Sequence, residues 1–129
     1  MNNRDAAPSV TFEVRTPDGH MFVIIAEENG APRQIIITIG KTGSRLAAWA
    51  NCTGRLITLA LRSGLALNAI ISEISGITSD GEHRYISGVV LRSGPDGVAY
   101  ALHKYQQYKA TEFPMIELDG GPSINEDYE

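Results

Sequence analysis

A basic loop that leads directly into a predicted helix is the part of this sequence best suited to chemistry. The loop reads Gly-Lys-Thr-Gly-Ser at residues 40–44, and a helical pattern begins at once. Between Glu28 and Glu73 the chain has no acidic residue but five basic ones: Arg33, Lys41, Arg45, Arg55 and Arg62. Unpaired N–H groups at a helix start and the helix dipole both favour an anion. The stretch therefore predicts a site for a phosphate-bearing ligand.

The predicted ligand-binding residues divide between this loop, the helix after it and one later loop. Lys41 and Arg45 would supply positive charge, and Gly43 would let the backbone approach the ligand closely. The later loop places a cation beside an aromatic ring that could stack on a ligand. The complete set is Lys41, Thr42, Gly43, Ser44, Arg45, Arg55, Arg84 and Tyr85.

Simpler interpretations of these residues remain open. A capped helix start with a solvated lysine has the same sequence pattern. Arg55 and Arg62, two helical turns apart, could bridge to carboxylates such as Glu73. A nucleotide-hydrolysing P-loop is disfavoured, because the motif needs a glycine five residues before Gly40, where Ile35 lies in a predicted strand.

Neither catalysis nor a metal site is predicted. The three histidines, His20, His83 and His103, have no partner at metal-ligand spacing. Cys52, the single cysteine, lies in an apolar helical pattern, where we expect a small buried hydrophobic side chain rather than a nucleophile. We therefore expect a non-catalytic protein without a cofactor.

Composition is typical of one ordinary globular domain. The 129 residues are 43% hydrophobic and 20% charged, and no apolar run approaches the ~20 residues of a membrane span. The start of the sequence lacks an export signal pattern. A single cysteine excludes an internal disulfide, so we expect a cytoplasmic protein that does not bind membranes.

Charge is distributed unevenly along the chain. The net charge is −4, but residues 112–129 hold six acidic residues and no basic one, which leaves an excess of two positive charges in residues 1–111. That excess is too small to predict binding to duplex nucleic acid. We divide the chain into a disordered N-terminus (1–8), one α+β domain (9–111) and an acidic C-terminal tail (112–129) that is solvated or loosely docked.

Hydrophobic periodicity predicts the elements that must position these residues. Alternation predicts strands at 10–15, 21–26 and 34–39, joined by turns at 16–19 and 28–31. Helices are predicted at 44–62, 66–75 and 93–109, with a short strand at 85–91. The fold class is therefore α+β: a three-stranded antiparallel meander packed against a long central helix and two further helices.

The long helix carries a broad apolar stripe and a glycine in its middle. The stripe comprises Leu46, Trp49, Ala50, Thr53, Leu56, Ile57, Ala60 and Leu61. Gly54 costs up to about 1 kcal/mol against alanine, which close backbone packing would explain. Because the stripe is wide for so small a domain, we expect a homodimer or a higher homo-oligomer.

Two runs of residues resemble a known family. A strand is followed by Ile-Gly-Lys-x-Gly-Ser, a helix and the run Gly-Arg-Leu-Ile-Thr-Leu-Ala-Leu-Arg-Ser-Gly. This order resembles that of the TSCPD domain at the C-terminal end of cobalamin-dependent ribonucleotide reductases. Residues 92–96 occupy the position of the five residues that name the family. Ser93, Pro95 and Asp96 match, whereas Gly94 replaces the family's cysteine. The resemblance covers roughly residues 20–109 and implies the fold, but no barrel, radical-site cysteines or cobalamin-binding region accompanies it.

Three functions follow as candidates. The first is a free-standing, non-catalytic binding protein for a nucleotide or nucleotide-derived ligand, which could sequester a nucleotide signal as some small viral proteins do. The second is an accessory or regulatory fragment of a cobalamin-dependent ribonucleotide reductase. The third is a structural interaction module that uses the apolar helix and the acidic tail.

Overall fold

The computed structural model describes residues 7–111. In chain order the elements are β1 (Ser9–Thr16), β2 (Gly19–Glu28), β3 (Ala31–Ile39), α1 (Arg45–Arg62), α2 (Leu67–Ile74), β4 (Arg84–Ile86), β5 (Val89–Leu91) and α3 (Gly94–Ala110). The predicted acidic tail and residues 1–6 of the predicted disordered N-terminus lie outside the described residues, while the Pro8 carbonyl accepts a hydrogen bond from the Glu27 N–H at 2.8 Å. No helix within residues 7–111 is both long enough and apolar enough to cross a bilayer.

Three antiparallel strands form the main sheet, in the order β1-β2-β3. The Asn-Gly turn between β2 and β3 is confirmed, with positive φ at both Asn29 (56°) and Gly30 (78°). Where the sequence predicted one strand at 85–91, β4 and β5 instead form a small hairpin. Ser87 and Gly88, with φ of 47° and 88°, make its turn. The predicted α+β class is confirmed.

One face of the main sheet carries the core. Its buried side chains are Val14, Met21, Val23, Ile25, Ile35, Ile37 and Ile39. α1 packs on β3 and α3 packs on β1 and β2, so two helices cover this face side by side. On the opposite face Phe22 and Ile36 are each 39% exposed. The core is therefore a single layer between sheet and helices.

α1 approaches β3 most closely at one glycine. A Cβ at Gly54 would lie 2.8 Å from the Ile35 carbonyl oxygen, closer than real Cβ atoms come to a backbone atom. One turn later the Thr58 hydroxyl accepts a hydrogen bond from the Ile35 N–H at 2.9 Å and donates to the Gly54 carbonyl at 2.8 Å. Thr58 thereby satisfies a backbone N–H on the edge of β3 that could otherwise pair with another strand. The close packing expected of this glycine is confirmed.

Only part of the predicted apolar stripe on α1 is buried. The buried residues of this helix are Ala50, Gly54, Ile57 and Leu61. Trp49 and Leu56 also belong to the stripe, but they are 71% and 61% exposed. Cys52 is exposed too, so the prediction that it is a small buried hydrophobic residue is wrong. The reason is geometric, because the sheet covers one arc of the helix and Cys52 lies outside that arc.

Glu27 joins the C-terminal end of α3 to the end of β2. Its carboxylate accepts hydrogen bonds from the Tyr105 hydroxyl at 2.5 Å and from Lys109 Nζ at 3.0 Å. Burial by itself would raise the pKa of Glu27. The two hydrogen bonds and the charge of Lys109 outweigh that effect, so the pKa lies below its ordinary value.

Replacing Gly54 with alanine tests the approach of α1 to β3. In a free helix alanine is favoured over glycine by up to about 1 kcal/mol. Here the new methyl group meets the Ile35 backbone, so we expect the free energy of unfolding to fall by about 1–3 kcal/mol. Urea denaturation of Gly54→Ala measures the change, and a variant more stable than the wild type would contradict the packing.

Replacing Glu27 with glutamine tests the connection to α3. At neutral pH we expect the variant to lose about 1–3 kcal/mol of unfolding free energy, because glutamine cannot form the ion pair with Lys109. Since folding lowers the pKa of Glu27, this contribution is present above the unfolded pKa of about 4.3 and is lost as the pH falls through the folded value. Melting curves between pH 7 and pH 3 should therefore converge for the two proteins. A difference that stays constant with pH would rule out the ionic contribution.

Candidate functional site

Two glycines with left-handed backbone shape the loop between β3 and α1. Gly40 and Gly43 have φ of 74° and 85°, which other residues rarely adopt. The Ser44 N–H donates to the Lys41 carbonyl at 2.9 Å and closes a turn. Ser44 is also the N-cap of α1, and its hydroxyl accepts a hydrogen bond from the Ala47 N–H at 3.1 Å. The loop therefore ends as a fixed helix start.

This loop presents charge and backbone donors that the described residues do not satisfy. Its exposed members are Gly40, Lys41, Thr42 and Gly43, and Arg45 at the start of α1 is exposed as well. Within residues 7–111, neither Lys41 nor Arg45 has an acidic partner, and the N–H groups of Arg45 and Leu46 have no acceptor. The first turn of α1 contains no acidic residue either. Two cations and the positive end of a helix dipole thus face solvent together, which suits an anion.

An apolar cleft of about 70 Å³ lies beside the loop, between the N-terminal halves of α1 and α3. Met21, Ile37 and Ile39 line it from the sheet, and Leu46 and Trp49 line it from α1. The sequence analysis did not assign Trp49 to the site. The sequence signal that could have identified Trp49 as a site residue is its position within two helical turns of the basic loop. The cleft offers an apolar surface next to the exposed cations.

The remaining predicted site residues lie apart from the loop. Arg55 follows Arg45 by ten residues, which is about 15 Å along the helix axis. Arg84 and Tyr85 belong to β4 and line a different surface depression together with Arg15. The structure therefore brings residues 41–45 into one turn and leaves Arg55, Arg84 and Tyr85 outside it.

A second polar cluster fixes the start of α3. Ser93 is the N-cap, and its hydroxyl accepts a hydrogen bond from the Asp96 N–H at 3.0 Å and donates to the Ile77 carbonyl at 2.5 Å. The buried Asp96 carboxylate accepts hydrogen bonds from the N–H groups of Gly76 at 2.7 Å and Arg92 at 2.9 Å. These contacts join the end of α2 to the start of α3, so both side chains hold the fold together.

Gly94 faces the turn between β1 and β2. Its N–H donates to the Asp18 carboxylate at 2.6 Å, and a Cβ at this position would lie 3.3 Å from the same carboxylate. A cysteine here would press against Asp18. The N-terminus of α3 thus already holds an anionic group of its own chain, whereas within residues 7–111 the N-terminus of α1 holds none.

Binding rather than metal chemistry is what the described side chains offer. Within residues 7–111, no three His, Cys, Asp or Glu side chains are grouped so that they could hold a metal ion. His20 pairs with Glu13 at 2.5 Å, with both side chains partly exposed. The groups around the basic loop are cations, N–H donors and the apolar cleft, whose acidic lining residue, Asp18, accepts a hydrogen bond from the Gly94 N–H. The cations, N–H donors and apolar surface can hold an anion attached to an apolar or aromatic group.

These features define a small α+β domain with an exposed cationic helix start. The sequence model of the TSCPD domain matches residues 3–106, and the chain belongs to this family. The resemblance drawn from the sequence is thereby confirmed. No curated protein and no solved structure matches the chain.

Replacing Asp96 with asparagine tests the structural role of this cluster. Asparagine keeps one acceptor but turns an NH₂ group towards a backbone N–H, so one hydrogen bond is lost and a donor is left buried. We expect Asp96→Asn to lower the free energy of unfolding by about 1–3 kcal/mol in urea denaturation. Asp80→Asn, at an exposed position, is the matched control. Equal stability of the two variants would show that Asp96 does not anchor α3.

Proposed function

We propose that this protein is a non-catalytic binding protein for a nucleotide or a nucleotide-derived ligand. The observation that carries the proposal is the start of α1, where exposed Lys41 and Arg45 surround N–H groups that have no acceptor within residues 7–111. A phosphate group matches this arrangement in charge and in its number of acceptor oxygens.

The neighbouring cleft supports a nucleotide over free phosphate. A base or ribose can rest on the apolar surface that Leu46 and Trp49 provide, while the phosphate reaches the loop. With about 70 Å³, the cleft is smaller than the ~300 Å³ of a fully enclosing ligand pocket. Much of the ligand therefore stays over the exposed loop, where its affinity falls as the salt concentration rises.

Sequestration is the biological role that we propose for such binding. A protein that holds a nucleotide signal without converting it lowers the free concentration of that signal in proportion to its own abundance. This role needs affinity and abundance, and it needs no reacting groups beside the ligand. Residues 41–45 fit that requirement, because they supply cations and N–H donors beside a mainly apolar cleft.

A second candidate is an accessory or regulatory unit of a cobalamin-dependent ribonucleotide reductase. Membership of the TSCPD family is the observation that favours it. Native mass spectrometry of freshly purified protein separates the two candidates. A bound mass of a few hundred daltons that absorbs at 260 nm supports the binding protein, whereas a co-purifying reductase subunit supports the accessory role.

Removing both cations of the loop tests the proposed site. We expect Lys41→Ala combined with Arg45→Ala to weaken nucleotide binding by about 2–6 kcal/mol, from about 1–3 kcal/mol for each charge-assisted contact. Calorimetry with a panel of mono-, di- and cyclic nucleotides measures the affinity. Trp49, the single tryptophan, lines the adjoining cleft and provides a fluorescence signal of the same event.

The control for this pair of substitutions is Arg15→Ala, which removes an exposed cation from β1. It should leave both affinity and melting temperature close to the wild type. If the wild type binds no nucleotide in the panel, the proposed function is wrong. If the double variant binds as tightly as the wild type, the phosphate site lies elsewhere on the protein.

A further inference from the structure

The part of α1 that the sheet leaves uncovered forms a straight apolar line. Trp49, Cys52, Leu56 and Leu59 recur at spacings of three, four and three residues, which places them along one side of the helix. We call these four residues the exposed stripe. Trp49 is 71% exposed, Leu56 and Leu59 are each 61% exposed, and Cys52 is exposed as well. No charged residue belongs to this line.

We propose that the exposed stripe binds the exposed stripe of a second copy of this chain, with the two α1 helices antiparallel. Spacings of three, four and three read the same in both directions. A two-fold axis at the level of Gly54 therefore sets Trp49 opposite the partner's Leu59 and Cys52 opposite the partner's Leu56. Each contact then occurs twice, as two-fold symmetry requires.

Other arrangements of the same two helices would pack their apolar side chains less well. Sliding one helix by seven residues sets Leu56 against the partner's Arg45 and breaks the apolar layers. A parallel arrangement sets each residue against its own copy, so that two bulky Trp49 side chains meet in one layer and two small Cys52 side chains in the next. The antiparallel register instead opposes large side chains with smaller ones in each layer, which gives even packing.

The area of the exposed stripe is adequate for a dimer. From its exposed fractions, Trp49 and the two leucines present about 400 Å² of apolar surface per copy, a size at which patches on monomers are commonly interaction sites. Two stripes together would bury about 800 Å². Flanking side chains, including the aliphatic part of Arg55, bring the total to the ~1,000 Å² of a specific interface.

Sedimentation of the full chain tests the pairing. At tens of micromolar the wild type should sediment at twice its 14.0 kDa mass. Leu56→Asp places a charge in two layers of the dimer and should raise the dissociation constant about 100-fold or more. Leu65→Asp is the control, since Leu65 is 50% exposed but lies in the groove between the C-terminal halves of α1 and α3. It should leave the dimer intact.

Disulfide trapping tests the register independently of stability. Leu56→Cys places a thiol opposite the native Cys52 of the partner, so mild oxidation should convert most of the protein to a covalent dimer on a non-reducing gel. Asn51→Cys adds one exposed thiol off the exposed stripe and should crosslink no more than the wild type. Rapid crosslinking of the wild type through Cys52 alone would indicate parallel helices and overturn the proposed pairing.

Three results of the sedimentation experiment would also overturn the proposal. A monomeric wild type would mean that no second copy covers the exposed stripe. A wild type that dimerises only after deletion of residues 112–129 would assign the exposed stripe in the full chain to that acidic, partly apolar segment. A Leu56→Asp variant that dimerises like the wild type, with unchanged circular dichroism, would place the interface on another surface.

Discussion

Backbone contact between α1 at Gly54 and β3 at Ile35 determines which side of the helix faces the sheet and which side stays exposed. Because no side chain separates them, the helix lies close to the sheet, and Thr58 can bond directly to the edge of β3. The sheet then covers a narrow arc of α1. The short connection from β3 must reverse within a few residues, which the left-handed Gly40 and Gly43 allow. One contact thus positions both the basic loop and the exposed stripe.

α1 and α3 begin at the same end of the sheet, but the groups around their N-termini differ. At α3 the Asp18 carboxylate accepts from the Gly94 N–H and the Ser93 hydroxyl accepts from the Asp96 N–H, so these first-turn donors are satisfied. At α1 the Ser44 hydroxyl accepts from one N–H, and the first turn of the helix contains no acidic residue. The dipole of α3 is therefore neutralised internally, whereas that of α1 is reinforced by Lys41 and Arg45. This difference is the physical reason for placing the proposed ligand site at α1.

The sequence predicted the features that local chemistry controls. The Asn29–Gly30 turn, the Ser93 cap and the close packing at Gly54 each follow from what one residue type permits. The exposure of Cys52 could not be predicted in this way, because an apolar helix arc has the same sequence pattern whether it meets a sheet or solvent. Likewise, Arg84 and Tyr85 lie apart from the basic loop for tertiary reasons that spacing along the chain does not contain.

The proposed interface and the proposed ligand site lie on one helix and share Trp49, which lines the cleft and belongs to the exposed stripe. In the proposed antiparallel pair, residues whose numbers sum to 108 lie at the same level, so Trp49 lies level with the partner's Leu59. The two basic loops would lie near opposite ends of the paired helices, about 30 Å apart, so each copy would hold its own ligand. Because Trp49 would contact both the ligand and the partner helix, ligand binding and pairing would be coupled, and by linkage each would change the other's affinity by the same factor.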